Sequence, residues 1–196
     1  MTRHPEQMST SATAGFAFKA ARGAPRFQCR VDGSRWRRCR SPLALSVVPG
    51  EHSFSVRAMG RRGRHGAATT FRWRLFEPKD FKVEPQLSGL GALYPGAPAQ
   101  ALPVVLSNPN PVPILVTGLR VAATANPPGC ESAANLELTP SSASPTAPVP
   151  VPAGGSVALP AAGASAPSIA LRDLPVNQDA CQLARFPLAF SGEAHG

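Results

Sequence analysis

The residues most able to do chemistry in this chain are arginines that crowd around one tryptophan. They form two clusters, with Arg35, Trp36, Arg37, Arg38 and Arg40 in the first and Arg61, Arg62 and Arg64 in the second. A guanidinium group offers a planar fork of donors that suits phosphate and carboxylate groups, and it stacks on aromatic rings. Aromatic side chains beside basic ones are also typical of surfaces that bind single-stranded nucleic acid. The clusters therefore predict a binding site for an anionic polymer, whether a cell-wall polymer, an acidic polysaccharide or a nucleic acid.

The same arginines have a simpler explanation as solvated surface. Arginine supplies 17 of the 20 basic residues, in a chain that is also rich in the other residues that GC-rich codons encode. A general basic surface and an anion-binding surface both stay open at this point. Binding dominated by phosphate would depend steeply on salt concentration.

Four cysteines fall in two pairs that are well separated along the chain. Cys29 and Cys39 enclose a short loop, whereas Cys130 and Cys181 enclose a long one. Local pairing predicts two disulfides, although pairing between the two halves of the chain stays open. On a chain-entropy estimate, the short and long loops stabilise the fold by about 3 and about 4 kcal/mol. Structural disulfides persist in oxidising compartments, so we expect an extracellular or cell-surface protein.

Residues for catalysis or metal binding are few. His4 and His195 lie in predicted tails, His52 lies in a predicted strand, and His65 lies in a basic loop. The cysteine and histidine spacing does not fit a zinc site, and the sequence lacks the motifs of metallopeptidases, serine hydrolases, P-loop proteins and dinucleotide-binding proteins. Asp32 is better explained as a turn residue than as a catalyst. We therefore expect a non-catalytic protein that needs neither a metal nor a small-molecule cofactor.

The elements that must position these residues are short strands. Between residues 13 and 76, apolar residues alternate with polar ones, as in FQCRV and TFRWRL, which indicates half-buried antiparallel strands. Asp32-Gly33 and Pro49-Gly50 supply turn signals between the strands. The number and shortness of these strands predict a β-sandwich.

One continuous string in this segment, FQCRVDGSRWRRCRSPLALSVVPGEHSFSVRA, and the later TFRWRL together resemble a known repeat. They are similar to an Ig-like repeat of secreted and surface proteins of bacteria, especially actinobacteria. The matching positions are Phe27, Cys29, Asp32, Gly33, Cys39, Ser41, Pro42, Gly50, His52, Phe54, Val56, Arg57, Ala58 and Trp73. Where such repeats commonly carry an acidic loop with asparagine, this chain has MGRRGRHGAA, so a cation site in that loop is not expected.

From residue 77 onward, longer apolar strands are broken by proline. The segment ALPVVLSNPNPVPILVTGLRVAATA predicts two strands on either side of the NPNP turn, because proline is excluded from the interior of central strands. Further strands are predicted at Leu136 to Leu138, Val149 to Val151, Val157 to Leu159, Ser168 to Leu171 and Leu183 to Phe190. These strands again predict a sandwich.

A second set of residues follows a recognisable pattern in this segment: Asn108, Pro109, Asn110, Pro113, Asn177, Gln178, Asp179, Cys181, Ser191 and Gly192. At these positions the segment is similar to another Ig-like module of actinobacterial secreted proteins. The resemblance implies a fold and a location, and no particular activity.

Charge and composition change together near residue 77. Residues 1–78 contain 15 Lys and Arg against 4 Asp and Glu, and residues 79–196 contain 5 against 7, so net charges of +11 and −2 give the chain's +9. Of the 23 prolines, 18 lie in the second segment. The sequence therefore predicts an all-β chain of two tandem Ig-like β-sandwich domains, each with one disulfide. A flexible tail is predicted over residues 1–12, a basic domain over 13–76 and a proline-rich domain over 77–196.

The function favoured by the sequence is that of a non-catalytic extracellular structural or adhesion protein, a spacer or surface-assembly module of a bacterium. One alternative is a module that binds an anionic polymer through the first domain. Another is a subunit of an extracellular filament or phage particle, which would form oligomers with other protein subunits through exposed edge strands. The sequence shows neither a run long enough to span a membrane nor the apolar run of a secretory signal. We interpret the chain as a mature or truncated form, against the alternative of a cytosolic protein with free thiols.

Overall fold

The computed structural model of the chain describes residues 1–20, 26–60, 64–160 and 163–196. It confirms the predicted all-β fold, because strands make up nearly all of the regular structure in these ranges. The chain divides into two compact units, Met1–Pro78 and Lys79–Gly196, which we call unit 1 and unit 2. Local pairing of the cysteines is confirmed, with Cys29–Cys39 in unit 1 and Cys130–Cys181 in unit 2.

The described residues of unit 1 form two sheets. Its strands are β1 (Met8–Ser9), β2 (Thr13–Phe16), β3 (Arg26–Val31), β4 (Arg37–Cys39), β5 (Leu43–Ser46), β6 (Gly50–Met59) and β7 (Thr69–Leu75). Five of them form a sheet in the order β1-β7-β6-β3-β4, in which only the β1–β7 pairing is parallel. The other sheet is the antiparallel pair of β2 and β5.

The β3–β4 hairpin follows from its turn residues. Asp32 and Gly33 both have positive φ, 48° and 71°, as the predicted two-residue signal requires. The hairpin opposes Phe27 to Cys39 and Cys29 to Arg37. Because side chains alternate across a strand, Phe27, Cys29 and the disulfide face the core, while Gln28 lies on the opposite face.

The core of unit 1 is aromatic. Phe16 of β2 stacks on Phe54 of β6 with ring centroids 4.1 Å apart, and Trp73 of β7 meets Phe16 edge-on at 5.3 Å. Phe54 is completely buried. Aromatic pairs of this kind contribute about 0.5–1.5 kcal/mol beyond the burial of their surface. One face of the five-stranded sheet therefore packs against the core of unit 1, and the other face is left outside that core.

The N-terminal segment differs from the predicted flexible tail. Met8–Ser9 forms β1 beside β7, and the Arg3 amide donates to the Ala17 carbonyl at 3.1 Å. Met1 also packs against the aromatic core. The pairing relies on main-chain hydrogen bonds of a very short strand, which leave no periodic signal in the sequence. Residues 1–12 are therefore part of unit 1.

In unit 2, the part of the chain that the structure describes forms three sheets. Its strands are β8 (Lys82–Pro85), β9 (Gln100–Ala101), β10 (Val104–Ser107), β11 (Ile114–Ala123), β12 (Leu136–Thr139), β13 (Val149–Val151), β14 (Ser156–Leu159), β15 (Ser168–Leu171) and β16 (Leu188–His195). They form sheets in the orders β14-β10-β8, β13-β11-β16 and β12-β15-β9. A single helical turn, α1 (Ser132–Asn135), precedes β12, and a 3-10 turn covers Asp179–Cys181.

Two buried asparagines hold the NPNP turn between β10 and β11. The Asn108 Nδ2 donates to the carbonyls of Val112 and Pro152, at 2.8 and 3.1 Å, and its Oδ1 accepts from the Asn110 amide. Asn110 pairs in turn with both main-chain groups of Lys79 at 2.7 Å. These side chains satisfy polar groups that a proline-rich turn leaves without strand partners.

The last strand is placed differently from the prediction. Leu183 to Phe190 is predicted as a strand, but β16 covers Leu188–His195. Leu183 has a φ of 58° and is completely exposed, which a strand residue would not be. His195 pairs in register with Leu115, so it lies in the sheet rather than in a tail. No helix in the described ranges is long and apolar enough to span a membrane.

Candidate functional site

The outer face of the five-stranded sheet in unit 1 carries a set of arginines on four adjacent strands. The strand registers place Arg38 opposite Gln28, Gln28 opposite Arg57, and Ser53 opposite Arg72. Since alternate residues of a strand share a face, the arginines on this side can be assigned from the register. We call this surface the arginine face; it consists of Arg26, Arg30, Arg38, Arg57, Arg72 and Arg74.

The arginine face is almost free of balancing carboxylates. Glu51, opposite Arg74, is the acidic residue whose register puts it on this side. Among the described residues of unit 1, the only ion pair within 4.0 Å joins His52 to Asp32, and it includes no arginine. The face therefore presents positive charge that the described residues of the fold do not neutralise.

Side-chain contacts on this face are concentrated around Trp36. The guanidinium carbons of Arg30 and Arg57 lie 4.7 and 4.2 Å from the centroid of the Trp36 ring. The Nε and Nη2 atoms of Arg57 both donate to the Gln28 Oε1, at 3.0 and 2.8 Å. All four side chains are partly buried. We call Gln28, Arg30, Trp36 and Arg57 the Trp36 cluster.

The fold places only some of the predicted anion-binding residues on the outer face of the five-stranded sheet. Trp36 and Arg38 belong to the outer face, whereas Arg37 opposes Cys29 and so lies on the core side of β4, where it is exposed at the margin. The other predicted residues of known placement, Arg35, Arg40 and Arg64, are exposed in segments outside the strands. The predicted residues Arg61 and Arg62 lie outside the described residues.

Sequence reasoning missed the arginines that contact Trp36. Arg30 is 6 residues and Arg57 is 21 residues from Trp36 in the chain, and the pairing of β3 with β4 and β6 brings all three to one face. The signal was present in the alternation of FQCRV and TFRWRL, where Arg30, Arg72 and Arg74 fall on the side opposite the apolar residues. This alternation shows which arginines share a face only when the order of the strands is known. A search for arginines that are close in sequence does not give that order.

His52 ties the β3–β4 turn to the start of β6. Its Nδ1 lies 2.8 Å from the Asp32 Oδ2, and its Nε2 lies 2.7 Å from the Val48 carbonyl oxygen. The hydrogen bond to Asp32, and then the one to Val48, raise the pKa of His52 above its ordinary 6.5. Burial alone would raise the pKa of Asp32, but hydrogen bonds from His52 and from the Ser53 amide outweigh it and lower that pKa below 3.8. The pair therefore favours a charged imidazolium beside a charged carboxylate.

A groove of about 600 Å³ lies beside this pair. Its lining consists of Gln7, Met8, Asp32, Glu51, His52, Ser53, Arg72, Trp73 and Arg74. The indole N–H of Trp73 is buried and has no hydrogen-bond partner among the described residues. In the same ranges, no three His, Cys, Asp or Glu side chains lie together so as to hold a metal ion. The groove shares Arg72 and Arg74 with the arginine face, and Asp32 and Glu51 add negative charge there. The part of the arginine face around Trp36, where the register of the described strands places no carboxylate, is therefore the better candidate for an anionic partner.

Comparison of the chain with family models, with curated proteins and with solved structures gives no match in any of the three. The Ig-like resemblance therefore stays a prediction.

Proposed function

We propose that this chain is a non-catalytic adhesion protein of a bacterial surface, in which unit 1 holds an anionic polymer. The arginine face is the observation that supports this proposal most directly. It carries six arginines on one sheet surface, and none of them pairs with a carboxylate within 4.0 Å among the described residues. Such a surface attracts polyanions and raises their local concentration.

The shape of the face suits an extended polymer. Residues two apart on one strand, such as Arg72 and Arg74, lie about 6.8 Å apart, and neighbouring strands lie about 4.8 Å apart. A linear chain with repeating negative groups can therefore meet several arginines in succession. A single small anion would use only one or two of them.

The proposed location outside the cell is supported by both disulfides, which are features of oxidising compartments. The likeness of each unit to repeats of bacterial surface proteins points the same way. Unit 2, with a net charge of −2, would serve as the spacer or adhesion module.

The proposal can be tested by retention on an immobilised polyanion such as heparin. We expect retention at low ionic strength that is lost by about 0.3 M salt, because the Debye length shortens. Arg72→Gln with Arg74→Gln should weaken binding about tenfold and flatten its salt dependence. The matched control is Arg37→Gln with Arg64→Gln, which removes the same charge from the core-side margin and from the β6–β7 loop.

The control pair should bind within about twofold of the unchanged protein, since long-range charge alone is screened. Equal losses in the two double variants would mean that only net charge matters and would contradict the proposed site. A wild-type protein that is not retained at low salt would contradict the function itself.

A further inference from the structure

We propose that the Trp36 cluster selects tetrahedral oxyanions, and that the polymer bound by the arginine face is a phosphodiester-linked one. This inference rests on the proposed function and goes further by naming the chemical group and the residues that recognise it. Arg30 and Arg57 supply the donors, Trp36 and Gln28 hold them, and the rest of the arginine face continues the contact along the polymer.

The donors of the cluster are held in place before any ligand binds. Two guanidinium groups lie within 4.7 Å of the centroid of one indole ring. Arg57 is further fixed by two hydrogen bonds to the Gln28 Oε1. An arginine that is already ordered loses less conformational entropy on binding, and this gain in affinity is specific to the cluster.

The cluster also keeps donors available. Arg57 uses one edge of its guanidinium, Nε and Nη2, on Gln28, so the edge formed by Nη1 and Nη2 remains for a ligand. The Arg30 guanidinium makes no hydrogen bond to any described residue. Arg38 opposes Gln28 in the register and adds a third positive charge next to the pair.

The number of these donors favours phosphate over carboxylate. A carboxylate is planar, and a single guanidinium fork satisfies both of its oxygens. The non-bridging oxygens of a phosphodiester accept hydrogen bonds from directions outside the O–P–O plane as well as within it, so two guanidinium groups that lie in different planes can bind the same group. A sulfate ester spreads the same single charge over three oxygens, and its charge-assisted hydrogen bonds should be weaker.

The rest of the face explains why the ligand should be a polymer. Arg72 and Arg74 lie on the same sheet surface as the Trp36 cluster, two strands away from Arg30 in the order β7-β6-β3. Between Arg72 and Arg30 on this side, β6 places the small residues Ser53 and Ser55, while Glu51 lies opposite Arg74. An extended phosphodiester chain can cross Ser53 and Ser55 without steric obstruction and join Arg72 to Arg30, passing to one side of Glu51.

The test is calorimetric titration, at one salt concentration, with three oligomers of equal charge number. They are a glycerol phosphate oligomer, an oligogalacturonate and a sulfated oligosaccharide. We expect the phosphate oligomer to bind about tenfold more tightly than the carboxylate oligomer, and more tightly than the sulfated one. Equal binding of all three, or tightest binding of the sulfated oligomer, would overturn the phosphodiester assignment.

Matched lysine variants separate selectivity from charge. Arg30→Lys with Arg57→Lys keeps the charge but loses the planar fork and the stacking on Trp36, so the phosphate preference should fall to within about twofold. Arg72→Lys with Arg74→Lys changes the same number of residues on the same face outside the cluster and should keep the preference. If both pairs keep it, the cluster is not the selective site.

Far-UV circular dichroism of each variant checks its fold, and Gln28→Met provides a second route if the Arg30/Arg57 pair fails to fold. That variant removes the acceptor that fixes Arg57 and should reduce the phosphate preference several-fold. An unchanged preference in a folded Gln28→Met protein would contradict the inference. If the unchanged protein binds none of the oligomers, the proposed function fails; if it binds them without preference, only this inference fails.

Discussion

Unit 1 and unit 2 are both disulfide-linked β structures, but they differ in what stabilises them and in what they expose. The core of unit 1 is built on aromatic rings, whereas the main core of unit 2 is built on valine, leucine, isoleucine and alanine. In unit 2, the buried side chains of Asn108 and Asn110 form hydrogen bonds with main-chain groups of the same unit. Unit 1 carries +11 of net charge and keeps most of its strand arginines on one sheet face. The difference points to unit 1 as the unit that binds.

Within unit 1, the residues that stabilise the fold and the residues proposed to bind lie on opposite sides of the same strands. In unit 1, the inner sides of β3, β6 and β7 contribute to the core around Phe16 and Phe54, and the outer sides carry the arginine face. Substitutions on the two sides of one strand should therefore have different consequences. Core changes should reduce stability, and outer changes should reduce binding.

The largest expected effect is the loss of an aromatic ring from unit 1. Phe54→Ala should lower the free energy of unfolding of unit 1 by about 3–5 kcal/mol, because Phe54 is fully buried. Urea unfolding followed by tryptophan fluorescence reports this unit alone, since both tryptophans, Trp36 and Trp73, lie within it. Leu106→Ala in the aliphatic core is the matched change in unit 2, with an expected cost of about 2–5 kcal/mol in amide-exchange measurements. A cost below about 1 kcal/mol for Phe54→Ala would contradict the aromatic core.

The disulfides should affect the two units unequally. Replacing Cys130 and Cys181 by alanine should cost unit 2 about 4 kcal/mol, and replacing Cys29 and Cys39 should cost unit 1 about 3 kcal/mol. The reason is the longer loop in unit 2, where the paired cysteines are 51 residues apart rather than 10. Unfolding of each double variant, compared with its parent under non-reducing conditions, measures both values. The opposite order would mean that loop length does not control their contributions.

The third prediction concerns the buried asparagines, which stabilise unit 2 through hydrogen bonds rather than through aromatic packing. Asn108→Ala leaves the Val112 carbonyl and the Asn110 amide without a partner, so we expect a loss of about 2–3 kcal/mol. Amide exchange of β10 and β11 would report it. Asn126→Ala, which removes one exposed hydrogen bond to the Ser132 amide, is the control and should cost less than about 1 kcal/mol. Equal costs at the two positions would show that the buried turn is not held by Asn108.

The smallest expected effect is a pH dependence confined to unit 1. Because the pKa of His52 is raised in the folded state, its contribution is complete below 6.5 and is lost as pH rises through the raised value. Because the pKa of Asp32 is lowered, its contribution is complete above 3.8 and is lost as pH falls further. The pair should therefore stabilise unit 1 most between these two values, by no more than about 1 kcal/mol, since Asp32 is largely exposed. Fluorescence-detected unfolding from pH 3 to 9 should show this maximum, and His52→Gln should remove it; a maximum that survives in His52→Gln would assign it to other groups.

Much of the fold could be predicted from the sequence, because it depends on local signals. The alternation around Cys29, the Asp32-Gly33 turn and the NPNP turn each encode their own geometry within a few residues. The strand β1 and the start of β16 could not be predicted, because main-chain pairing with distant segments determines them. The same limit applies to the candidate site. The local arginine clusters pointed to Trp36, but only the pairing of β3 with β6 shows that Arg30 and Arg57 are its partners.

The most direct test of the central claim uses the two tryptophans as an internal comparison. Trp36 lies in the proposed site, whereas Trp73 is 3% exposed in the core of the same unit. In a ¹H–¹⁵N spectrum, titration with a glycerol phosphate oligomer at low salt should shift the Trp36 indole resonance and the amides of β3 and β6. The Trp73 indole and the amides of unit 2 should stay in place. Shifts confined to unit 2, or a Trp36 indole that does not move at saturation, would contradict the assignment of binding to the arginine face.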